Sequence, residues 1–155
     1  MIIELNDSNF PNTIATIRAS GKIIVFTNGC FDIIHAGHVS YLSKAKSYGD
    51  VLIVGLNTDD SVHRLKGKDR PINNENDRAI VLNALSFVDY VVLFDEDTPY
   101  KLIKQVKPDV LVKGGDYTIE TVVGADFVTE SGGIVRLIPL LENRSTTNIV
   151  KKLKK

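Results

Sequence analysis

The sequence has few of the features that stabilise secreted proteins or anchor proteins in membranes. It contains a single cysteine, Cys30, among 155 residues. One cysteine excludes an intrachain disulfide, which fits a reducing compartment. Residues 1–20 contain no basic segment followed by an apolar core, so no secretory signal is recognisable. No apolar run approaches the ~20 residues that span a bilayer, and we therefore expect a cytoplasmic protein.

An excess of charge of one sign is also absent. The 19 Lys and Arg residues balance 19 Asp and Glu residues, which gives a formal net charge of +0. Proteins that bind nucleic acid or anionic membranes through charge carry a basic excess, so we expect neither as a partner. The basic tail 151–155 is a local exception, and we interpret it as a solvated helix end. With 43% hydrophobic and 25% charged residues, the composition is that of a globular protein.

Apolar runs alternate with helical patterns, which predicts a single α/β domain over residues 1–155. The predicted strands are 22–26, 51–56, 89–94, 109–112 and 134–138. Residues 1–21 carry a weak helical pattern that we interpret as an N-terminal helical appendage. Right-handed crossovers between such strands build an open parallel sheet of about five strands with helices on both faces.

The chain is organised around residues 27–38, which read T-N-G-C-F-D-I-I-H-A-G-H. This stretch follows an apolar run and precedes a helical pattern that stops at Gly49. A turn between a strand and a helix presents backbone N–H groups and the positive end of the helix dipole to an anion. His35 and His38 lie three residues apart, on one face of the first helical turn. Gly37 between them allows a ligand to approach the backbone closely.

Polar stretches also follow two other predicted strands, at 57–60 and 113–116. Ligands of open parallel sheets bind beyond the carboxyl ends of the strands, so we expect these stretches to converge with 27–38 on one crevice. Gly114 would let a ribose or base lie against the chain, and Asp116 could accept hydrogen bonds from ribose hydroxyls. A tight turn would explain both residues equally well.

The motif G-x-F-D-x-x-H-x-G-H resembles that of the nucleotidyltransferase superfamily, which includes the phospho-alcohol cytidylyltransferases. Residues 65–72, 111–116 and 145–152 narrow the resemblance to the adenylyltransferases of bacterial ADP-heptose synthesis. The resemblance covers nearly all of the chain from about Lys22. It implies a Rossmann-like nucleotidyltransferase fold and the transfer of AMP from ATP to a heptose 1-phosphate. The products would be pyrophosphate and ADP-heptose, a precursor of lipopolysaccharide or a related surface glycan.

The resemblance also implies roles for individual residues. His35, His38 and Lys66 are the implied catalytic residues, which meet the charge that develops on phosphate oxygens. The implied nucleotide-binding residues are Asn28, Gly29, Cys30, Phe31, Gly37, Gly114, Asp116, Ser145, Thr146 and Thr147. Arg70 and Arg78 are the implied ligands of substrate phosphate, since guanidinium groups bind phosphate bidentately.

Some of these residues have simpler interpretations. Arg78 could instead pair with Glu75, three residues away on the same helix. Asp32 is expected to hold the central turn by side-chain hydrogen bonds rather than to act as a base. We interpret Cys30 as a small residue that lends its backbone N–H, because no third group orients a Cys–His pair. The residues whose roles stay open are Asp59, Asp60 and Arg144.

Cofactor and partners follow from the same resemblance. The dense charge of a triphosphate implies Mg²⁺ held partly by the substrate phosphates, and the sequence names no protein metal ligand. ATP and a sugar 1-phosphate are the expected partners, together with a second copy of the chain in a homodimer. Two other functions stay open: a cytidylyltransferase acting on glycerol 3-phosphate or another phospho-alcohol, and a non-catalytic nucleotide-binding module. A dehydrogenase is disfavoured because G-x-G-x-x-G does not follow the first predicted strand.

Overall fold

A computed structural model describes residues 1–139 together with 149 and 150. In this part of the chain six parallel strands form one sheet in the order β1-β4-β3-β2-β5-β6. The strands are β1 (Ile2–Glu4), β2 (Ile24–Gly29), β3 (Val51–Asn57), β4 (Tyr90–Phe94), β5 (Val110–Gly114) and β6 (Ile134–Ile138). The predicted α/β class with an open parallel sheet is confirmed.

Helices cover both faces of the sheet. They are α1 (Phe10–Ala19), α2 (Ala36–Lys46), α3 (Asp59–Lys66), α4 (Glu75–Asn83), α5 (Tyr100–Val106) and α6 (Ala125–Glu130), and a 3₁₀ turn spans Ile119–Thr121. Successive side chains of a strand point to opposite faces, so Ile24 and Phe26 pack with α1, α5 and α6. Val25 packs on the other face with α2 and α4. Each helix described here is too short or too polar to traverse a bilayer.

The N-terminal residues belong to this core. The sequence predicted only a helix within residues 1–21, whereas the structure adds β1, which pairs with the edge of β4. Phe10, Ile14 and Ile17 of α1 are buried against the sheet. Residues 1–21 therefore complete the domain rather than append to it. A strand of three residues is too short to produce a recognisable alternation.

The order in which successive strands are added to the sheet reverses at β2. The chain passes from β2 to β3 on one side, whereas β5 pairs with β2 on the other side. The ladder between β2 and β5 contains the pairs Val25–Val110 and Phe26–Leu111. The next two positions in the same register, Thr27–Val112 and Asn28–Lys113, are not paired. The carboxyl ends of the two strands therefore diverge, and such a switch point is where parallel sheets bind ligands.

Candidate active site

A cleft of about 510 Å³ opens at this switch point. It is lined by the end of β2 and the turn that follows, and by residues from α2, α3, β5 and the segment after β4. The predicted site residues among its lining are Asn28, Gly29, Cys30, Phe31, His38, Lys66 and Arg70. Two separate stretches of predicted site residues, 28–38 and 66–70, therefore meet where the sheet topology places a ligand.

The central turn has a constrained backbone at Phe31. Its φ angle of 43° lies in the left-handed region, which is uncommon for a bulky residue and costs backbone strain. A Cβ added at Gly29 would lie 3.0 Å from Cε2 of Phe31, so glycine is what lets the ring fold back over the strand end. The Phe31 ring then meets His38 edge-on, with 5.3 Å between ring centroids. The contact of Phe31 with His38 therefore helps to position the His38 imidazole near the end of β2.

The two histidines form a stacked pair at the start of α2. Their ring centroids are 3.9 Å apart and the planes are inclined by 29°. His35 is the N-cap residue, and its Nδ1 accepts a hydrogen bond of 3.1 Å from the backbone N–H of Gly37. With Nδ1 accepting, the proton of the His35 ring resides on Nε2. The helix N-terminus thus presents imidazole groups together with its own partial positive charge.

The surroundings of His38 disfavour the protonated form of its imidazole ring. Burial, reinforced by neighbouring His35, lowers the pKa of His38 from 6.5 to about 4, although a hydrogen bond with the backbone of Ile33 acts in the opposite direction. Its buried Nδ1 has no hydrogen-bond partner among the described residues. Unsatisfied buried polar atoms are rare in folded proteins and often mark functional sites. An anion would supply the acceptor that a protonated Nδ1 requires.

Tyr41 bridges the gap between β2 and β5. Its hydroxyl lies 2.6 Å from Oγ1 of Thr27 and 3.2 Å from the carbonyl oxygen of Val112. A phenol carries one hydrogen and a carbonyl only accepts, so Tyr41 donates to Val112 and Thr27 donates to Tyr41. Burial raises the pKa of Tyr41 to about 12, against the effect of the Thr27 hydrogen bond. The phenol therefore stays protonated at neutral pH and ties α2 to both strands.

Positive charge surrounds the inner part of the cleft. Lys113 at the end of β5 donates a hydrogen bond of 3.2 Å to Oδ1 of Asn28, across the gap between the strands. Burial raises the pKa of the Cys30 thiol, and the nearby charges of Lys66, Arg78 and Arg70 reduce that effect. A raised pKa argues against a thiolate nucleophile, in agreement with the interpretation of Cys30 as a backbone donor.

Asp32 fastens the loop that carries Arg70. Its carboxylate accepts hydrogen bonds from Nε of Arg70 at 2.6 Å and from the backbone N–H groups of Ile72 and Asn73 at 2.8 to 2.9 Å. Burial alone would raise the pKa of Asp32, but the Asn73 and Ile72 amides and the Arg70 guanidinium hold it below its ordinary value. The contacts of Asp32 are structural, but the described hydrogen bonds of its carboxylate all reach residues 70–73 and therefore tie that loop to the central turn.

Arg78 lies elsewhere than the sequence predicted. It is 1% exposed, and its guanidinium donates to the carbonyl oxygens of Asn73, Cys30 and Asn57 and to Oδ1 of Asp59. Those acceptors belong to the protein, so the prediction of a substrate-phosphate contact is corrected to an internal tie between segments. The alternative partner Glu75 is also corrected, because the Arg78 ion pair of 2.7 Å is with Asp59.

Other predicted residues lie outside the cleft wall. In the part of the chain that the structure describes, the cleft is lined by Lys113 of β5 and, after this strand, by Tyr117, Thr121, Val122 and Val123. Gly114 and Asp116 are not among its lining residues. His35 and Gly37 are not among the lining residues of the cleft. His35 stacks on His38, and Gly37 lies in the first turn of α2. The predicted residues that lie outside the described part of the chain are Arg144, Ser145, Thr146 and Thr147.

Sequence reasoning missed one whole wall of the cleft. Asp97, Thr98 and Pro99, which follow β4, line it. Lys113 belongs to the stretch 113–116 that the sequence placed in the crevice, but it was given no role of its own. Its signal was available, because a lysine that ends a buried strand must be explained by a partner. The β4 segment offered no comparable signal.

Metal ligation was tested with the side chains that the structure describes. Within residues 1–139 and 149–150, no three His, Cys, Asp or Glu side chains cluster so that they could hold a metal ion. The side chains of this described part therefore form no metal cage of their own.

The fold and cleft define a class: an open parallel α/β domain with a cleft at the strand switch point. Residues 26–152 match the cytidylyltransferase-like family, and the chain belongs to that family of nucleotidyltransferases. Among solved structures, a lipopolysaccharide core biosynthesis protein from Thermoplasma volcanium is 33% identical with a TM-score of 0.63, over 80% of this chain and 100% of that chain. A pantoate-β-alanine ligase from Francisella tularensis, 18% identical with a TM-score of 0.60, shares the fold over 99% of this chain and 77% of its own.

Curated relatives are more similar in sequence but much longer. The bifunctional protein HldE of Geobacter metallireducens is 62% identical over 88% of this chain, and that of Wolinella succinogenes is 64% identical over the same share. In both cases the match covers 28% of the relative. The chain thus spans little more than a quarter of the curated relatives it matches.

We expect the depressed pKa of His38 to be measurable by NMR titration of the free protein. The unfolded chain would titrate near 6.5, so it binds more protons than the folded chain between pH 6.5 and 4. The contribution of His38 to the free energy of unfolding is therefore complete above about pH 6.5 and is lost as the pH falls towards 4. The His38→Asn substitution identifies the NMR signal of His38 by its loss. It should also weaken the fall in the free energy of unfolding at acidic pH. A midpoint for His38 above 6 would contradict the burial argument.

We expect the Tyr41→Phe substitution to lower the free energy of unfolding by about 1–3 kcal/mol, because the Thr27 hydroxyl and the Val112 carbonyl would stay buried without their shared partner. Urea denaturation measures the change. Tyr100→Phe, which removes a hydroxyl from an exposed side chain, is the matched control and should change stability by less than about 0.5 kcal/mol. Equal stabilities of the two variants would show that the bridge contributes nothing.

Proposed function

We propose that this domain transfers AMP from ATP to a heptose 1-phosphate and releases pyrophosphate. The observation that carries the proposal is the stacked pair of His35 and His38 at the start of α2, beside a positively lined cleft at the strand switch point. Identity of 62–64% to HldE proteins supports heptose 1-phosphate as the acceptor. The product would be ADP-heptose, a precursor of lipopolysaccharide or a related surface glycan.

The reaction needs no covalent intermediate on the protein. A phosphate oxygen of the sugar 1-phosphate attacks the α-phosphorus of ATP, and the bond from that phosphorus to the oxygen bridging to the β-phosphate breaks. The electron pair leaves with pyrophosphate. Catalysis then consists of positioning the two phosphates in line and stabilising charge on the equatorial and leaving oxygens.

The helix start supplies this stabilisation in the proposed mechanism. The ring of His35 carries its proton on Nε2 and can donate to a phosphate oxygen, while the N-terminal amides of α2 add their partial positive charge. Its lowered pKa keeps His38 neutral in the free protein, and an anion bound in the cleft that His38 lines would favour the protonated ring. Its protonation is thereby coupled to the arrival of phosphate.

Lys66 and Arg70 approach the cleft from α3 and the loop after it. The Lys66 side chain is exposed at the end of α3, next to Gly67, whose φ of 97° suits a hinge. Arg70 is already oriented by Asp32. We assign Lys66 to the leaving phosphates, because it is the exposed cation that a bound triphosphate can reorient. Arg70 would contact substrate phosphate from a fixed position.

Magnesium enters the proposal with the nucleotide. The described side chains form no cage for it, so the phosphates would provide most of its ligands, as is usual for Mg²⁺ bound with nucleotides. No step above is assigned to a protein-bound metal. The homodimer and the cytoplasmic location stay predictions.

Pyrophosphate release across a substrate panel tests the proposal. The panel crosses ATP and CTP with both anomers of a heptose 1-phosphate and with glycerol 3-phosphate. Product formation from ATP and one heptose anomer is the expected result. Turnover with CTP and glycerol 3-phosphate would instead establish the cytidylyltransferase alternative. Nucleotide binding without turnover on any acceptor would indicate a non-catalytic module.

We expect His35→Ala and His38→Ala each to lower kcat by about 10²–10³-fold, the loss typical of removing one donor to a developing oxyanion. Affinity for ATP, measured by calorimetry, should be largely preserved because backbone groups share the contacts. His63→Ala is the matched control, since His63 on α3 is exposed and does not line the cleft. Unchanged turnover in the α2 variants would remove the histidines from the mechanism.

A further inference from the structure

Lys113 occupies an unusual position for a lysine. It lies near the end of β5 at the register position opposite Asn28, immediately beyond the last paired residues of the β2–β5 ladder. Its stem is partly buried, and its Nζ reaches across the strand gap to Oδ1 of Asn28 at 3.2 Å. The ring of Tyr117 lies 5.7 Å from the same Nζ. The ammonium is therefore fixed on the β5 side of the cleft.

The charge of Lys113 is not neutralised by the described protein. Arg64, Arg70 and Arg78 each have a carboxylate oxygen within 2.7 Å. No described carboxylate lies within the 4.0 Å that defines an ion pair with Lys113. Lys66 also lines the cleft without such a pair, but its side chain is exposed to solvent. Lys113 is thus the partly buried cation of the cleft that lacks a counter-charge in the described chain.

A partly buried ammonium with no counter-ion is costly. Burial lowers the pKa of Lys113, and the charge of Lys66 acts in the same direction, whereas Cys30 acts in the opposite one. Asn28 and the Tyr117 ring compensate only in part, because neither carries a negative charge. A bound phosphate would supply the missing charge.

We infer that Lys113 is a further catalytic residue, which contacts the reacting phosphates from the β5 side of the cleft. The inference rests on the proposed function for the identity of the reaction. The two reacting phosphates are both anionic and repel one another as they approach. Cations on two sides of the cleft offset that repulsion in the transition state, where the charge is most concentrated.

The Lys113→Met substitution tests this role, because methionine keeps a long apolar stem and removes the charge. We expect kcat to fall by about 10²–10³-fold, with smaller changes in KM for both substrates, and Lys113→Arg to recover part of the loss. Lys104→Met is the matched control: Lys104 also lies 5.7 Å from a tyrosine ring, that of Tyr100, but lies outside the cleft. Its kcat should match that of the unsubstituted protein.

Two further measurements separate catalysis from structural support. Thermal unfolding of Lys113→Met should occur at the same temperature as in the unsubstituted protein or higher, because an uncompensated charge is removed. Calorimetric titration with pyrophosphate alone should show affinity about tenfold weaker than that of the unsubstituted protein or the Lys104 variant. Unchanged kcat, or a loss of kcat accompanied by an equally large loss in Lys113→Arg and by lower thermal stability, would overturn the inference.

The pyrophosphate titration also separates this inference from the proposed function. If the unsubstituted protein turns over no heptose 1-phosphate, the proposed function fails, and the dependence of pyrophosphate affinity on Lys113 still decides whether this residue is a phosphate ligand. If turnover is present and neither kcat nor pyrophosphate affinity depends on Lys113, the inference fails and the proposed function stands.

Discussion

The structure depends on how the gap between β2 and β5 is bridged. The backbone ladder between these strands stops after Phe26 and Leu111, and side chains continue the connection. The hydroxyl of Tyr41 joins Thr27 to Val112, and one residue further along Lys113 reaches Asn28. These side-chain bridges leave space for a ligand between the ends of the two strands and hold both ends in place. Because Tyr41 belongs to α2, the same bridge sets the position of the histidine pair.

The cations of the site fall into two groups according to their partners. Arg78 is buried and engaged by four protein acceptors, so it joins the central turn to α3 and α4. Arg70 is paired with Asp32 and thereby fixes a loop. Lys66 and Lys113 have no described carboxylate partner and line the cleft. Arg78, engaged by four protein acceptors, stabilises the fold, whereas Lys66 and Lys113, which have no described carboxylate partner, are available to a phosphate ligand.

The strand pattern was readable from sequence because strands buried on both faces are continuous apolar runs. Val51–Asn57, buried throughout, is such a case. β1 was missed because its three residues pair at an edge, where a tertiary contact with β4 creates the strand. The contribution of Phe10 to the core was missed as well, since a weak helical pattern does not reveal how deeply the helix packs.

The sequence by itself determined the chemistry of the central turn. Gly29, His35 and His38 are local features, and a strand, a turn and a helix start fix their geometry over a few residues. Only the tertiary structure decided which groups the charged side chains from distant parts of the sequence contact. Whether Arg78 meets a phosphate or Asp59, and whether Lys113 meets a carboxylate or the amide of Asn28, depends on residues far apart in the chain. Sequence spacing carries no information about such pairings, because the sheet order that creates them is a property of the folded domain.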